Sequence, residues 1–270
     1  MRGFSTYFSL IVSKVLPFGY IRGENIHGAP YDFRRAANEH ADYFMRVRAL
    51  IETTYANNGN TKVLLVSHSM GSIMMSYFLN QQTQAWKDKY IRSLISLAGV
   101  WGGTARAVKV FAVGDNLDSW FLNEKNLLWE RTNPSLAWLM PAEGFWTNEE
   151  ILVQTEKKNF TRTNLGEYFT EMGEPNMAEM VKDTKVLLAG LPAPNVEVFC
   201  SHGSKVDTTE TVVYPEGSYP PKGKGKKLSW HSPWPWSWLW PSKPSLIKGD
   251  GDGTVNIRSL CVSSTLFFNM

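Results

Sequence analysis

The chain has 270 residues, of which 43% are hydrophobic and 20% charged, with a formal net charge of +3. That length and apolar content suffice for one large domain with a sizeable core. The weak, dispersed positive charge argues against a nucleic-acid-binding surface and leaves approach to an anionic lipid surface unhindered.

The opening stretch MRGFSTYFSLIVSKVLPFGY has a short apolar centre and no small-residue cleavage site. It reads as a helix over residues 5–16, stopped by Pro17 and Gly19, rather than as a secretory leader. Over residues 36–55, Phe44, Val47, Ile51 and Tyr55 recur at three- and four-residue steps, and Asn57, Asn58 and Gly59 end the run. This predicts an amphipathic helix with a clear stop. Residues 63–66 form an apolar run that suits a strand buried on both faces. A helix over 72–79 follows, with Ile73, Met74, Tyr77 and Phe78 inward, then strands over 91–97 and 196–200. Helices and strands alternating at these spacings predict a parallel α/β sheet wound by right-handed crossovers. There is no internal repeat.

Residues 115–146 are polar, carry Trp120, Trp129, Trp138 and Trp146, and show little periodicity. Such a stretch predicts a long surface excursion or a lid. Residues 214–246 contain PPKGKGKK and WHSPWPWSWLWPSKP, with five tryptophans within 230–240. Proline prevents a regular helix there. The segment reads as an insertion, as a piece foreign to the mature protein, or as a loop suited to a lipid interface. No uninterrupted apolar run nears the roughly 20 residues of a membrane-spanning helix. Two cysteines, Cys200 and Cys261, fit neither a metal cluster nor a CxxC redox pair, and counting alone leaves one disulfide and two free thiols equally open.

The chemistry concentrates at VLLVSHSMGS, residues 63–72. A strand running into a sharp turn before a helix exposes a nucleophilic serine in the pattern G-x-S-x-G, because small residues on either side let strand and helix approach. Here Ser69 occupies the nucleophile position, Gly71 keeps the pattern, and Ser67 replaces the first glycine with another small side chain. A helix N-cap serine in a tight βα turn is the plainer alternative. In the nucleophile reading, the backbone N–H of Met70 faces the oxyanion. A second N–H is expected from a loop after an earlier strand, and no such strand is recognisable before residue 63.

The acid and base of such a triad follow in the order Ser, Asp or Glu, His. GDGDGTVNIRS, residues 249–259, is the best acid candidate, since its glycines permit a tight turn that presents one carboxylate. The histidines are His27, His40, His68, His202 and His231, none beyond Asp252. His68 cannot reach back to serve its neighbour Ser69, and His202 or His231 would need a rearranged topology, so the triad reads as lacking its base. The run from Asp250 to Thr254 also matches the D-x-D-x-T signature of aspartate-nucleophile phosphatases. It stands far from the early strand that chemistry requires, and a calcium loop lacks its further acidic ligands.

APYDFRR (29–35), SHSMG (67–71), QAWKDKYIRSLISL (84–97), WGG (101–103), GDN (114–116) and GDGDGTVN (249–256) occur in this order. Together they resemble the lecithin:cholesterol acyltransferase family, most closely its lysosomal phospholipase branch. The resemblance implies an α/β-hydrolase fold: a parallel sheet with flanking helices and a lid or cap over about 115–146. Residues 1–270 are then one partial domain, incomplete at both termini, with an insertion over about 214–246.

It further implies a serine phospholipase and O-acyltransferase without cofactor or metal. Its substrate is a phospholipid and its acceptor a lipid alcohol, met at a membrane or lipoprotein surface, with no nucleic-acid partner and no transmembrane segment. Ser69 is the nucleophile, Asp252 rather than Asp250 the acid, Met70 an oxyanion donor, and Trp101 a neighbour of the acyl track. Cys200 and Cys261 match a family disulfide, and Asn159-Phe160-Thr161 a glycosylation position. The full-length parent is expected to be lysosomal or extracellular.

Departures are also present. Val100 replaces a family proline, CVSSTLFFNM does not continue the family pattern, and the leader, second oxyanion loop and catalytic histidine lack counterparts. The resemblance therefore predicts a truncated chain of little activity. Its alternative is a non-catalytic lipid-binding product using Trp120, Trp129 and the tryptophans of 230–240.

Overall fold

A computed structural model describes residues 7–114, 130–188, 191–220 and 244–260. In chain order the helices are α1 (Tyr7–Val15), α2 (Ala41–Asn57), α3 (Met70–Asn80), α4 (Gln84–Tyr90), α5 (Ala105–Val113), α6 (Pro134–Trp138), α7 (Leu165–Glu171), α8 (Pro175–Leu188) and α9 (Ile257–Leu260). The strands are β1 (Val63–His68), β2 (Ile91–Leu97), β3 (Ile151–Gln154), β4 (Asn159–Thr161), β5 (Val198–Ser201), β6 (Thr208–Val213) and β7 (Ser245–Gly249).

The first sheet is parallel, in the order β1-β2-β5. α2 buries Tyr43, Phe44, Val47 and Ile51 against Ile73, Met74 and Phe78 of α3; the expected stripe holds at Phe44, Val47 and Ile51, whereas Tyr55 is half-buried and Tyr43 joins the buried face. Val63, Leu65 and Val198 of the sheet pack onto that cluster. α4 starts at Thr83, whose hydroxyl accepts the N–H of Trp86, the usual way of satisfying an early helix donor.

β1 is not buried on both faces as its apolar run predicts. Among the described strands it stands at the edge of its sheet, and Leu64 and Val66 are exposed. Val66, Ile95 and Phe199 lie in register across the three strands, and Phe199 is exposed as well. The clustered helices α2 and α3 lie on the opposite side of the sheet, so alternation along β1 leaves every second residue facing outward.

A second, mixed sheet runs β4-β3-β6-β7, with β3–β6 parallel and the outer pairs antiparallel. No strand of it is anticipated from the sequence. Its core is aromatic: Phe111 of α5, Phe160, Tyr168, Phe169 and Tyr214 pack with Val153 and Val212. Arg131 is buried there. Its guanidinium donates to the carbonyls of Phe111 (2.8 Å) and Ala112 (3.2 Å) and lies 4.7 Å from the Phe111 ring centre, closing the C-terminal end of α5.

The expected lid divides. Residues 115–129, with Trp120 and Trp129, lie outside the described residues, whereas Leu136, Trp138, Met140 and Trp146 are buried in the core. Residues 221–243 of the expected insertion also lie outside, while Tyr214 and Tyr219 on its near side are buried. Among the described residues no helix is long and apolar enough to cross a membrane.

Candidate active site

β1 ends at His68 and α3 begins at Met70, leaving Ser69 alone in the turn. Ser69 has φ 52° and ψ −126°, a conformation that L-residues rarely adopt and that stores backbone strain. The turn is held from outside: the Ser69 N–H donates to the Leu97 carbonyl at 2.9 Å, extending the β1–β2 ladder one residue past the strand. The Ser72 N–H donates back to the Ser69 carbonyl at 3.0 Å. Met70 opens α3, so its N–H is among the first donors that the helix ladder does not use.

Small residues surround the turn for a measurable reason. A methyl group on Gly71 would meet the Tyr31 hydroxyl at 3.7 Å and Ser67 Cβ at 3.8 Å, so one carbon would just fit and a larger side chain would not. Ser67 is more than a tolerated substitute for glycine. Its Oγ lies 3.1 Å from Ser72 Oγ and donates to the Ile95 carbonyl at 3.3 Å. Ser96 Oγ donates to Ser72 Oγ at 2.9 Å. These three buried hydroxyls join β1, α3 and β2 next to the Ser69 turn. The motif pattern does not reveal Ser72 or Ser96 as partners; only their matching depth on adjacent elements does.

Trp101 is buried in the same cluster as Met70 and Trp138. Its indole nitrogen would stand 2.6 Å from a Cβ on Gly99 and Ser96 Oγ only 2.3 Å from it, so glycine is required where this ring passes the serine network.

The loop after β7 carries both aspartates. Asp252 Oδ1 accepts the N–H groups of Thr254 (2.9 Å) and Val255 (2.8 Å), which fix its carboxylate. Asp250 Oδ1 instead accepts the Lys205 N–H at 2.5 Å and is exposed. Gly251 admits no side chain, because a Cβ would lie 2.3 Å from the Val255 carbonyl. Asn256, fully buried, is the loop's central fastener: it donates to the Thr209 carbonyl (2.8 Å) and accepts from the Ala105 N–H (3.0 Å) and the Thr104 hydroxyl (3.2 Å). Ser259 grips the 101–105 segment, its carbonyl and Oγ accepting the N–H groups of Trp101 and Gly102, each at 2.9 Å.

His68 links the two halves electrostatically. Burial pushes its imidazole below the ordinary histidine range, and the negative charge of Asp252 pulls it partly back. The charge of the candidate acid therefore reaches the residue before Ser69. His40 is buried against Tyr31, Tyr43 and Phe44, with Nε2 3.1 Å from the Asp32 carbonyl. Burial raises the phenols of Tyr31 and Tyr43, the latter to about 12, so both stay protonated. His27 and His202 are exposed, and His202 Nδ1 lies 2.9 Å from the Gly203 carbonyl, on the strip of chain that flanks Asp252. His231 is outside the described residues.

Cys200 is half-buried on β5; its expected partner Cys261 follows α9 and is outside the described residues. Asn159 is exposed at the start of the edge strand β4.

The lecithin:cholesterol acyltransferase family model matches residues 2–191. The chain is 36% identical over 264 residues to the mouse protein named lysosomal phospholipase A and acyltransferase, covering 96% of this chain and 58% of that one. It is 36% identical over 259 residues to the human protein of the same name, covering 94% and 56%. It is 34% identical over 254 residues to chicken phosphatidylcholine-sterol acyltransferase, covering 94% and 56%. The chain thus spans somewhat over half the length of these relatives. A chain of the solved Tle4–Tli4 complex shares the fold at a TM-score of 0.52 and 13% identity, covering 85% of this chain and 55% of that one.

Proposed function

The chain belongs to the lecithin:cholesterol acyltransferase family, and on that premise we propose that it carries the acyl-serine chemistry of a phospholipase A and O-acyltransferase. Ser69 Oγ attacks the carbonyl carbon of a phospholipid fatty acyl ester while its proton passes to a base. The Met70 N–H stabilises the resulting oxyanion. The carbon–oxygen bond to glycerol then breaks, the lysophospholipid leaves with the proton, and water or a lipid alcohol takes the acyl group from serine. Asp252 is the acid that would orient the base. The observation that carries this reading is the strained Ser69 backbone at a strand-to-helix junction, with its helix N–H groups directly behind.

The base is the role for which this sequence offers no candidate in the expected order, since every histidine precedes Asp252. The 270-residue polypeptide is therefore proposed to acylate slowly and turn over poorly, a missing base alone costing orders of magnitude in rate. The remaining family features belong to the same reading: a lid drawn from residues 115–146, an acyl track beside Trp101, a Cys200–Cys261 disulfide, a glycan on Asn159 and a lysosomal or extracellular setting.

The test is to incubate the purified chain with a p-nitrophenyl ester of a long-chain fatty acid and to map acyl adducts by mass spectrometry. An adduct on Ser69, absent in Ser69→Ala and formed faster with added imidazole, is expected. Equal ester cleavage by Ser69→Ala, with no adduct, would overturn the assignment. Fast unassisted hydrolysis of phospholipid vesicles that depends on Ser69 would overturn the missing-base reading alone.

A further inference from the structure

The first turn of α5 carries a charge where helix electrostatics disfavour one. Arg106 is the second residue of that helix, and the N–H groups there form the positive end of the helix dipole. The turn is otherwise well made, since the Thr104 hydroxyl accepts the Arg106 N–H at 3.1 Å. A side chain that breaks a local rule in a sound element points to a role outside that element.

The contacts of the guanidinium supply that role. Arg106 Nη1 donates to the Gly253 carbonyl at 3.1 Å and to the Thr254 hydroxyl at 3.0 Å. The Gly253 carbonyl and the Thr254 N–H belong to one peptide group, and that N–H donates to Asp252 Oδ1 at 2.9 Å. One planar peptide thus stands between cation and carboxylate, held at its oxygen by Arg106 and at its nitrogen by Asp252. A cation on the oxygen polarises the group and makes its N–H a stronger donor, so the two bonds reinforce each other.

The rest of the turn is fastened on either side of this peptide. Gly253 has φ 94°, in the left-handed region, and its N–H donates to Thr208 Oγ1 at 2.9 Å. The Thr254 carbonyl accepts the Thr104 hydroxyl at 2.8 Å. Asn256 holds the loop further along, through Thr209, Ala105 and Thr104. The tilt of the peptide that meets the Asp252 carboxylate falls to Arg106.

We infer that Arg106 is a positioning residue for the proposed acid: it orients the Gly253–Thr254 peptide, and through that peptide's N–H it aims the Asp252 carboxylate. This rests on the acyl-serine reading and deepens it, since Asp252 serves catalysis only where Ser69 is the nucleophile.

The experiment supplies the base from solution. Imidazole, added to the full chain with the p-nitrophenyl ester, stands in for the histidine that Asp252 would orient. The measure is the slope of Ser69 acylation rate against imidazole concentration, corrected for Ser69→Ala. Arg106→Gln should lower this slope about five-fold, and Arg106→Met, which keeps the packing of the stem, should do the same. Arg106→Lys should recover most of it, because both hydrogen bonds come from one nitrogen that an ammonium can replace.

A second readout separates aim from charge. The Asp252 charge raises the His68 pKa, so a carboxylate turned away lowers it. Loss of the Arg106 cation alone acts in the opposite direction, because a positive charge disfavours the imidazolium. In an NMR titration of Arg106→Gln, His68 should therefore shift down. An upward shift or none would overturn the inference, as would an unchanged imidazole slope or a lysine variant no better than the glutamine one. A parent chain that forms no Ser69 adduct would overturn the acyl-serine reading instead, and the His68 titration would still decide whether Arg106 aims Asp252.

Discussion

Replacing Ser69 by glycine and, separately, by alanine isolates the strain in the nucleophile turn. Both variants remove the hydroxyl, so the difference between them is a property of the backbone. At an unstrained position alanine is favoured over glycine by about 0.5–1 kcal/mol, because glycine loses more freedom on folding. At φ 52° and ψ −126° an L-residue bears a penalty of about 1–3 kcal/mol that glycine escapes. The two terms oppose each other, and the strain is the larger. Ser69→Gly should therefore be more stable than Ser69→Ala by about 0.5–2 kcal/mol, the reverse of the usual order. Urea unfolding by circular dichroism reads this as a higher midpoint at unchanged slope. Equal midpoints, or a more stable alanine variant, would refute the claim that the turn is strained and with it the strongest local reason for assigning Ser69 as nucleophile.

Three further outcomes follow from the acid loop and from His68. Asn256→Ala leaves the Thr209 carbonyl and the Ala105 N–H buried without their partner, and should destabilise the chain by about 3–5 kcal/mol in the same unfolding assay. His68 supplies a pH dependence whose sign can be stated. Its folded pKa lies below the unfolded value of about 6.5, so its stabilising contribution is complete above that pH and is lost as pH falls through the folded pKa. His68→Gln should therefore lose less stability than the parent between neutral and acidic pH. Asp252→Asn, by removing the charge that opposes burial, should lower the His68 pKa further in an NMR titration.

The elbow was legible because its information is local. Four apolar residues, a serine between small neighbours and an amphipathic continuation lie within one short stretch, and the turn chemistry acts on the same residues. The acid loop was legible for a similar reason, since Gly251 and Gly253 mark a turn that only glycine can make. Choosing Asp252 over Asp250 needed the resemblance; in the structure Asp252 gathers the loop's own N–H groups, and Asp250 is exposed and accepts the Lys205 N–H.

The second sheet was illegible because nothing local specifies it. β4 has three residues, too few for any period to register, and β6 reads TTETVV, more polar than a strand core. Its burial is decided by β3 and β7, which lie far away in sequence. Arg131 misleads in the same way: a charge suggests surface, yet the carbonyls at the end of α5 draw it inside. The apolar run of β1 misled in the opposite direction. An uninterrupted run shows that a strand could be covered on both faces and cannot show that it is.

The proposed nucleophile and acid stand on different sheets, and this sets how their relation can be disturbed. Ser69 ends β1 of the first sheet, and Asp252 follows β7 of the second. One bridge between them is the segment from Trp101 to Ala105, which leaves β2 beside the serine network and is gripped by Asn256 and Ser259; the strip after β5 is another, through Lys205 and Val206. Ser259→Ala removes the acceptor of the Gly102 N–H without touching either reacting group. The buried donor left behind costs about 1–3 kcal/mol, which unfolding would register. A purely structural loss would stop there. If Ser259 also sets the spacing of the two halves, the Asp252 carboxylate shifts relative to His68 and the His68 pKa moves with it, the imidazole acting as a gauge of the acid's position. Loss of stability with an unmoved His68 titration would mean that the bridge fastens the loop without setting its register against the nucleophile.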